Sequence, residues 1–261
     1  QVGIFFAFGI GLSVETLTFG WLPNFSLTES ASIALVGTGF PVTALFVTAK
    51  SAYTLISAVA VGAFLYSLFA QSVRREFVFG LTTTAEQGYL LLQKREVSIS
   101  ERIAFVVLLL LGVGLTFPLI APLLGMMVLG NFFSEVMVRD DRFSQIGKGI
   151  IEGMSGVIGL ALGLTLEGEK FLNISLLAIL LIGALGLIVG TLCEILILKI
   201  INGISKDQER LNPLILVGDS SVLFEAFNPM ERAQKVVLTV RILAVLIGGG
   251  MLLSLTHTII L

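Results

Sequence analysis

Three adjacent residues with oxygen-bearing side chains lie inside an apolar stretch of the second half of the sequence. In LNPLILVGDSSV, the residues Asp219, Ser220 and Ser221 follow directly after Gly218. Carboxylate and hydroxyl oxygens are hard ligands that suit a small cation or a proton. An ionisable residue in an apolar membrane segment is costly, which indicates a function. Asp219 can also cap the N-terminus of a half-helix, and the two interpretations are compatible.

A second interruption occurs in the first half of the chain. The stretch GTGFPVTALFVTAK, from Gly37 to Lys50, places glycine and proline inside a segment that is otherwise helical in pattern. These residue types are also common in membrane helices, where they only bend the helix. Paired interrupted segments in the two halves of a chain are, however, the pattern that marks a transporter binding site. We predict that Gly37–Val42 and Gly218–Ser221 are non-helical and approach each other inside protein, because unpaired backbone groups cannot face lipid.

Two further ionisable residues lie within long apolar segments. Glu194 occurs in TLCEILILK and Arg241 occurs in LTVRILAV. We interpret Glu194 as a structural charge partner. Arg241 can extend to the cytoplasmic surface or pair with Glu194 or Asp219.

The other reactive residue types argue against several kinds of site. The sequence contains one cysteine, Cys193, and one histidine, His257, which supply neither a disulfide framework nor a histidine or thiolate metal site. It contains no Ser-His-Asp, zinc or P-loop pattern, and a net charge of −2 without a basic patch does not indicate nucleic acid as a partner. We expect no bound cofactor in this chain and no metal other than sodium.

The elements that must position these residues are membrane helices. Hydrophobic residues make up 56% of the 261 residues, charged residues make up 13%, and the mean hydropathy is +1.01. So few charges cannot cover the surface of a water-soluble domain of this size. Several apolar runs reach the roughly 17–25 residues that a helix needs to cross a bilayer. We predict an all-α, polytopic transmembrane protein in which residues 1–261 form a single membrane domain.

Capping sequences and prolines define the order of the helices. Capping boxes at Ser26, Thr83 and Ser98, each with a glutamate three residues later, predict helix starts. The run Ile103–Val138 is too long for one crossing, and its two prolines at positions 118 and 122 predict two helices that meet there. The other predicted spans are Ile4–Leu22, Tyr53–Ala70, Gly149–Leu166, Ile174–Ile201 and Val236–Ile260, with a broken segment at Asn212–Asn228.

The polar stretch of residues 72–102 is predicted to be a cytoplasmic loop. It contains five of the 16 basic residues, namely Arg74, Arg75, Lys94, Arg95 and Arg102. Basic residues accumulate in cytoplasmic loops. Cysteines placed at Gln87 in this loop and at Gly168 in a predicted outer loop should therefore react with reagents from opposite sides of the membrane.

Several longer stretches of the sequence occur in an order that is typical of one family. They are QVGIF, TESASIALVGTGFPVTALFVTAK, SAVAVGAFLYSLFAQ, APLLGMMVLGNFF, IGLALGLTLEGEKFL and LNPLILVGDSSV, together with LTTTAEQ and VSISERIAF in the polar stretch. In this order and spacing the chain resembles, nearly end to end, the beta subunits of the sodium-translocating biotin-dependent decarboxylases. These are membrane subunits of the oxaloacetate, glutaconyl-CoA and methylmalonyl-CoA decarboxylase complexes.

The resemblance implies a fold, an activity and partners. The implied fold is an inverted-repeat transporter in which two discontinuous helical elements cross near the middle of the membrane, with GTGFPVT as the first element and GDSS as the second. The implied activity is movement of Na+ or H+ coupled to the decarboxylation of carboxybiotin. A soluble biotin-carrier subunit would deliver the carboxybiotin, a carboxyltransferase would be a further partner, and the chain would lie in the lipid of a prokaryotic cytoplasmic membrane.

Individual positions follow the family pattern only in part. Phe40 stands where the resemblance places the aspartate of an Asp-Gly-Pro-Thr motif, and the family's arginine falls near Asn228. The Arg241–Gly248 region replaces a Gly-Pro-Asn motif, and several N-terminal spans of the family pattern are expected to be missing before Gln1. The residues assigned to the ion site, by motif or by matching the family, are Thr43, Tyr66, Asn131, Asp219, Ser220 and Ser221, with Arg241 and Glu194 as charge partners.

Two hypotheses of function follow from this pattern. The first is an ion-translocating subunit in which Asp219 supplies the charge that Phe40 lacks. The second is a non-transporting paralogue that acts as a scaffold of a membrane complex. Retention of both interruptions favours the first hypothesis, while loss of the carboxylate at position 40 favours the second.

Overall fold

The computed structural model describes the backbone of residues 2–17, 25–89, 98–137, 149, 153–154, 156–157, 159–161, 163–164, 174–205, 210–218 and 229–260. Its α-helices are α1 (Val2–Leu17), α2 (Leu27–Ala34), α3 (Pro41–Ser51), α4 (Ile56–Leu81), α5 (Thr84–Gln87), α6 (Ile99–Thr116), α7 (Ala121–Met137), α8 (Ile174–Ile204) and α9 (Pro229–Ile260). Short 3-10 turns occupy Val36–Thr38, Tyr53–Leu55, Pro118–Ile120 and Pro213–Val217. These ranges contain no strand, so the part of the chain that is described is all-helical.

The helices α2, α5 and α6 begin where the capping boxes predict. The hydroxyl oxygens of Ser26, Thr83 and Ser98 each accept a hydrogen bond of 3.3 Å from the backbone N–H of the glutamate three residues later. The glutamate carboxylate in turn accepts the backbone N–H of the capping residue, at 2.6–3.1 Å. Each box therefore satisfies two of the N–H groups that a helix start leaves without an intrahelical partner. The predicted starts are confirmed.

The predicted division of the long apolar run at its prolines is also confirmed. Helix α6 ends at Thr116, the 3-10 turn at Pro118–Ile120 follows, and α7 begins directly after it. Proline lacks the N–H that would continue the helix and restricts the residue before it. Phe117 accordingly leaves the helical conformation with φ −128° and ψ 73°.

Three of the described helices are long and apolar enough to cross a membrane by length and composition. They lie within Tyr53–Leu81, Ser175–Ile204 and Met230–Thr258, each of 29 or 30 residues. Large aliphatic side chains project from the helices into the surroundings, and Leu68 and Leu115 are 75% and 80% exposed. A contiguous apolar exterior of this kind suits the hydrocarbon of a bilayer rather than water. The chain is an integral membrane protein.

The polar stretch of residues 72–102 begins as helix rather than as loop. Helix α4 continues to Leu81, so residues 72–81 correct the predicted loop boundary. The physical reason is that these residues contain no proline, while Arg74 turns inward to a protein acceptor instead of requiring solvent. The remainder contains α5 and the start of α6, and residues 90–97 lie outside the described ranges. The cytoplasmic location of this stretch stays a prediction.

Helix α8 is the element against which much of the described structure packs. It contacts α1, α2, α4 and the turn at Val36–Thr38. Close approach depends on glycine, since a Cβ on Gly3 would lie 2.9 Å from the Cα of Gly190 and a Cβ on Gly37 would lie 3.0 Å from the backbone nitrogen of Leu187. Small residues permit this backbone-to-backbone packing between apolar helices. They bring the first interruption of the chain directly onto α8.

Candidate functional site

The first interruption is shorter than the predicted Gly37–Val42, because α3 already begins at Pro41; it is the segment Val36–Phe40, which separates α2 from α3 and includes a 3-10 turn. Helix α2 ends at Ala34, and Gly39 then adopts a left-handed conformation with φ +76° before Pro41 begins α3. Glycine accommodates this φ without the steric cost of a Cβ, and proline suits the first turn of a helix because its missing N–H is not needed there. The Thr38 hydroxyl stabilises the turn locally, because it donates to the Leu35 carbonyl at 2.7 Å and accepts the Phe40 N–H at 3.2 Å.

Phe40 occupies the N-cap position of α3 but cannot cap it. Its side chain makes no capping hydrogen bond, and it packs partly buried against the main hydrophobic cluster. An aspartate at an N-cap accepts backbone N–H groups and carries a negative charge. The resemblance places an aspartate at this position, so the substitution removes both a cap and a charge from the first interruption.

The second interruption is described only in part. Its described segment is residues 210–218, which follow α8, and the residues from Asp219 to Asn228 lie outside the described ranges. The carbonyl groups of the described segment are taken up by side chains from the flanking helices. The Asn202 amide donates to the Leu211 carbonyl at 2.8 Å and the Gln234 amide donates to the Leu214 carbonyl at 3.0 Å. Backbone that leaves the helix inside a membrane protein must find such partners within the protein.

The start of that segment is also tied to the polar stretch after α4. The buried Asn212 side chain caps the turn by accepting the Leu214 N–H at 2.9 Å. Its amide nitrogen donates to the carbonyls of Gln87 and Tyr89 at 2.6 and 3.1 Å. A single asparagine thus joins α5 to the second interruption.

Arg241 and Glu194 form an ion pair between α9 and α8. Arg241 Nε donates to Glu194 Oε1 at 2.9 Å and Arg241 Nη2 donates to Glu194 Oε2 at 2.6 Å. The side chains are 8% and 32% exposed, respectively. Arg241 Nη2 also donates to the Leu216 carbonyl at 2.8 Å, so the pair is bound to the second interruption. Because Arg241 is buried, it pairs within the protein and does not extend to the surface.

Arg74 makes the corresponding contact to the first interruption. Its Nη2 donates to the carbonyl oxygen of Thr38 at 3.2 Å, across from α4 to the turn before α3. Each interruption therefore directs a backbone carbonyl to an arginine on a neighbouring membrane helix. Arg74 thus binds a carbonyl of the first interruption, and Arg241, which is paired with Glu194, binds a carbonyl of the second.

A cavity of about 70 Å³ lies where these elements meet. Its lining includes Thr38, Phe40 and Arg74 from the first interruption and α4, and Glu194 and Arg241 from α8 and α9. The remaining wall is formed by small and apolar residues: Gly3, Ile4, Ala34, Gly37, Gly186, Leu187, Gly190, Thr191, Ala244 and Val245. The two predicted charge partners are thus on one wall of a cavity whose other wall is the first interruption.

Thr43 and Tyr66, two of the residues predicted to contact the ion, are not part of the cavity lining, and their role at an ion site stays a prediction. Thr43 is 5% exposed and faces α9, where a Cβ on Gly249 would lie 3.4 Å from its Cγ2. The Tyr66 hydroxyl donates to the backbone carbonyl of Leu180, and its ring packs against Gly183. Neither residue lines the cavity, and each has a packing role in the described structure.

The other predicted ion-site residues lie outside what the structure describes. Asp219, Ser220 and Ser221 follow Gly218, the last described residue of the second interruption. The backbone of Asn131 lies in α7, and its side chain is outside the described set. Their assignment to an ion site remains a prediction from the sequence.

Arg74 lines the cavity, although the sequence analysis placed it in a polar loop. It was predicted to be one of the charges of a cytoplasmic loop, whereas it lies on α4 with Tyr66 and Ala70. These three residues are spaced at i, i+4 and i+8, which places them on one face of a helix. Ala70 lies against the first interruption, 3.1 Å from where a Cβ on Gly39 would be. If α4 is extended past Ala70, the same spacing places Arg74 on the inward face of the helix, and this extension is the signal that the sequence analysis missed.

Comparison with known proteins places this arrangement in a family. The model of the Na+-transporting oxaloacetate decarboxylase beta subunit matches residues 1–247. The oxaloacetate decarboxylase beta chain 2 of Salmonella typhimurium is 34% identical over 215 residues, which are 82% of this chain and 48% of that protein. The oxaloacetate decarboxylase beta chain of Haemophilus ducreyi is 36% identical over 213 residues, 80% of this chain and 48% of that protein.

A second kind of decarboxylase is represented among the relatives. The methylmalonyl-CoA decarboxylase subunit beta of Propionigenium modestum is 32% identical over 217 residues, which are 82% of this chain and 52% of that protein. The chain spans about half the length of these curated relatives. The extent of the family match and the level of identity show that this chain belongs to the family of beta subunits of the Na+-transporting decarboxylases.

Proposed function

We propose that this chain is the ion-translocating membrane subunit of a biotin-dependent decarboxylase and that it moves Na+ or H+ as carboxybiotin is decarboxylated. The observation that carries the proposal is the interruption at Val36–Phe40, which lies inside the protein and against a cavity between membrane-length helices. Interrupted backbone of this kind is tolerated in a membrane where it lines a cavity or an ion path.

The ion ligands are proposed to come from the second interruption. Asp219, Ser220 and Ser221 directly follow Gly218 and supply a carboxylate and two hydroxyl groups. Arg241 supports this proposal, because it binds the Leu216 carbonyl three residues before Asp219. A nearby guanidinium favours the ionised form of a carboxylate, as a bound cation does. The two interruptions would then form the crossed, discontinuous elements of an inverted-repeat transporter.

The partners are proposed from the family. The relatives are beta chains of oxaloacetate and methylmalonyl-CoA decarboxylases, and we propose that this chain joins a biotin-carrier subunit and a carboxyltransferase in a bacterial cytoplasmic membrane. No binding surface for biotin is assigned within this chain. The carboxybiotin is treated as the substrate that a partner delivers.

The experiment is sodium transport by the purified complex in liposomes. Uptake of 22Na+ is measured after addition of oxaloacetate or methylmalonyl-CoA, over a range of pH, for the wild type and for Asp219→Asn. Glu76→Gln is a matched control, because Glu76 is an exposed acid on α4 that does not line the cavity. Loss of substrate-dependent uptake in Asp219→Asn alone is the expected result. Uptake equal to that of the wild type removes Asp219 from the ion path.

The alternative is that the chain is a non-transporting scaffold. The feature that supports it is Phe40, which stands where the family resemblance places an aspartate. The family description as Na+-transporting favours the transport proposal over this alternative. Absence of uptake by the wild-type complex, with retained decarboxylation of either substrate, would decide for the scaffold.

A further inference from the structure

In the cavity beside the first interruption, the hydrogen-bonding groups that lack a partner are of one kind. Its polar side chains are those of Thr38, Arg74, Thr191, Glu194 and Arg241. The Thr38 hydroxyl donates to the Leu35 carbonyl, and the Thr191 hydroxyl donates to the Leu187 carbonyl at 2.8 Å. Both carboxylate oxygens of Glu194 accept from Arg241. The acidic and hydroxyl groups of the lining are thus engaged within the protein.

The groups of the lining that lack a partner are hydrogen-bond donors. Arg74 Nε and Arg241 Nη1 are buried nitrogen atoms without a hydrogen-bond partner in the protein. An unsatisfied buried donor on a charged group is costly, because the group has lost its hydration without replacement. A ligand that completes this cavity must therefore be an acceptor.

The charge of the lining indicates that the acceptor is an anion. The described lining has two guanidinium groups, which are positive throughout the physiological range, and one carboxylate. The ion pair of Arg241 with Glu194 accounts for one of the two positive charges, and Arg74 donates to the neutral carbonyl of Thr38. Among the described residues of the lining, one positive charge therefore remains beside a wall of glycine, alanine and aliphatic residues, where low polarity strengthens its attraction for an anion.

The cavity has room for a small anion. About 70 Å³ is available, compared with roughly 10–15 Å³ in the same measure for one water molecule. A planar three- or four-atom anion therefore fits in this space. Guanidinium groups match the two oxygens of a carboxylate in geometry as well as in charge.

We infer that this cavity is a binding site for a small monovalent oxyanion of the carboxylate class, of the size of formate or bicarbonate, held between Arg74 and Arg241. The bound anion would connect the arginine that holds the first interruption to the arginine that holds the second. The inference does not rest on the proposed transport function, since it concerns equilibrium binding by the resting protein.

The test measures the thermal unfolding midpoint of the full chain, purified in detergent, against anion concentration at constant ionic strength. Sodium formate, bicarbonate, chloride and sulfate are compared, because a ligand that binds the native state raises the midpoint, and at a given concentration a tighter ligand raises it more. Stabilisation by formate and bicarbonate but not by sulfate is expected. Response to bicarbonate alone identifies inorganic bicarbonate as the ligand, and response to formate as well identifies carboxylates in general.

The matched pair of variants is Arg74→Gln and Arg75→Gln. Arg75 is the adjacent arginine on α4, and it is exposed and lies over the Phe79 ring at 5.7 Å rather than in the cavity. Arg74→Gln should raise the Kd for formate by about tenfold to a hundredfold, which corresponds to the loss of one charge-assisted hydrogen bond. Arg75→Gln should leave that Kd unchanged.

A second variant keeps both arginines and places a carboxylate in the cavity wall, in exchange for a partly buried phenyl ring. Phe40 lines the cavity and occupies the N-cap of α3, a position where aspartate is favourable. Phe40→Asp should therefore remain folded and lose its response to formate, because the new carboxylate supplies the missing negative charge. The inference is overturned if the wild type is not stabilised by formate or bicarbonate, if chloride is preferred to both, or if Arg74→Gln binds formate as the wild type does.

Discussion

Neutralising Glu194 is expected to destabilise the protein because it leaves a buried guanidinium without its counter-ion. In Glu194→Gln the amide oxygen can still accept one hydrogen bond from Arg241, but the negative charge is gone. The Arg241 side chain is only 8% exposed, so bulk water solvates its charge poorly after the counter-ion is lost. The cost of Glu194→Gln should therefore depend on whether Arg241 is present.

The size of the effect follows from the burial of the two partners. Breaking a fully buried pair by removing one partner costs about 3–5 kcal/mol, whereas an exposed pair contributes about 0–1 kcal/mol. Because Glu194 is 32% exposed and Arg241 is 8% exposed, we expect Glu194→Gln to lower the free energy of unfolding by about 3 kcal/mol. Arg241→Met should cost about 2 kcal/mol, since it leaves a partly hydrated carboxylate and frees the buried Leu216 carbonyl.

The double variant is expected to reverse the sign of one of these effects. When Glu194 is already glutamine, Arg241→Met removes an unpaired buried charge, so it should raise the free energy of unfolding by about 1 kcal/mol or more. The assay is denaturant titration of the purified chain in detergent, followed by far-UV circular dichroism, with Glu76→Gln as the exposed control. Additive effects of the two substitutions, or a cost of Glu194→Gln below about 0.5 kcal/mol, would refute the reasoning.

Three further outcomes are expected from the same unfolding assay and from NMR. Gly37→Ala should cost about 1–3 kcal/mol, because its Cβ would clash with the carbonyl oxygen of Gly183 and lie 2.9 Å from the carbonyl carbon. Gly112→Ala, with nothing within 4 Å, should be neutral or stabilising. Tyr66→Phe should cost about 1 kcal/mol because it removes the hydrogen bond from the Tyr66 hydroxyl to the Leu180 carbonyl of α8, and no loss of stability would mean that this bond is not formed. The Thr83 N–H lowers the pKa of Glu86 despite a small opposing effect of burial. The ionised Glu86 carboxylate therefore stabilises the start of α5 at pH values above its usual pKa, and this stabilisation is lost as the pH falls through the lowered pKa of Glu86. An NMR titration midpoint for Glu86 at or above the value in an unfolded peptide would contradict this.

Local sequence determines much of the helical structure. The capping boxes at Ser26, Thr83 and Ser98 join residues three positions apart, so their hydrogen bonds need no partner from a distant part of the chain. Pro118 interrupts a helix through its own missing N–H and requires no distant partner. The membrane character likewise follows from composition. These features could be predicted because the groups that cause them are neighbours in sequence.

The composition of the cavity could not be predicted in the same way. The sequence allowed Arg241 to extend to the surface or to pair with Glu194 or Asp219, and the spatial proximity of α8 and α9 shows the pair with Glu194, whereas Asp219 lies outside the described residues. Arg74 carries the same charge as its neighbour Arg75, and the packing of α4 on the first interruption alone distinguishes the buried arginine from the exposed one. Thr43 and Tyr66 match the family pattern, yet their described contacts are with neighbouring helices.

By itself the sequence determined that this protein is an all-helical membrane protein, where several of its helices begin and where the α2–α3 segment is interrupted. Those properties depend on local hydrogen bonds, backbone restrictions and the transfer of side chains into lipid. Only the tertiary structure decided which carbonyls of the two interruptions meet Arg74 and Arg241, and that these residues share one cavity with Glu194. The reason is that a buried charge selects its partner by distance in space, and glycine contacts between α1, α8 and the first interruption set that distance.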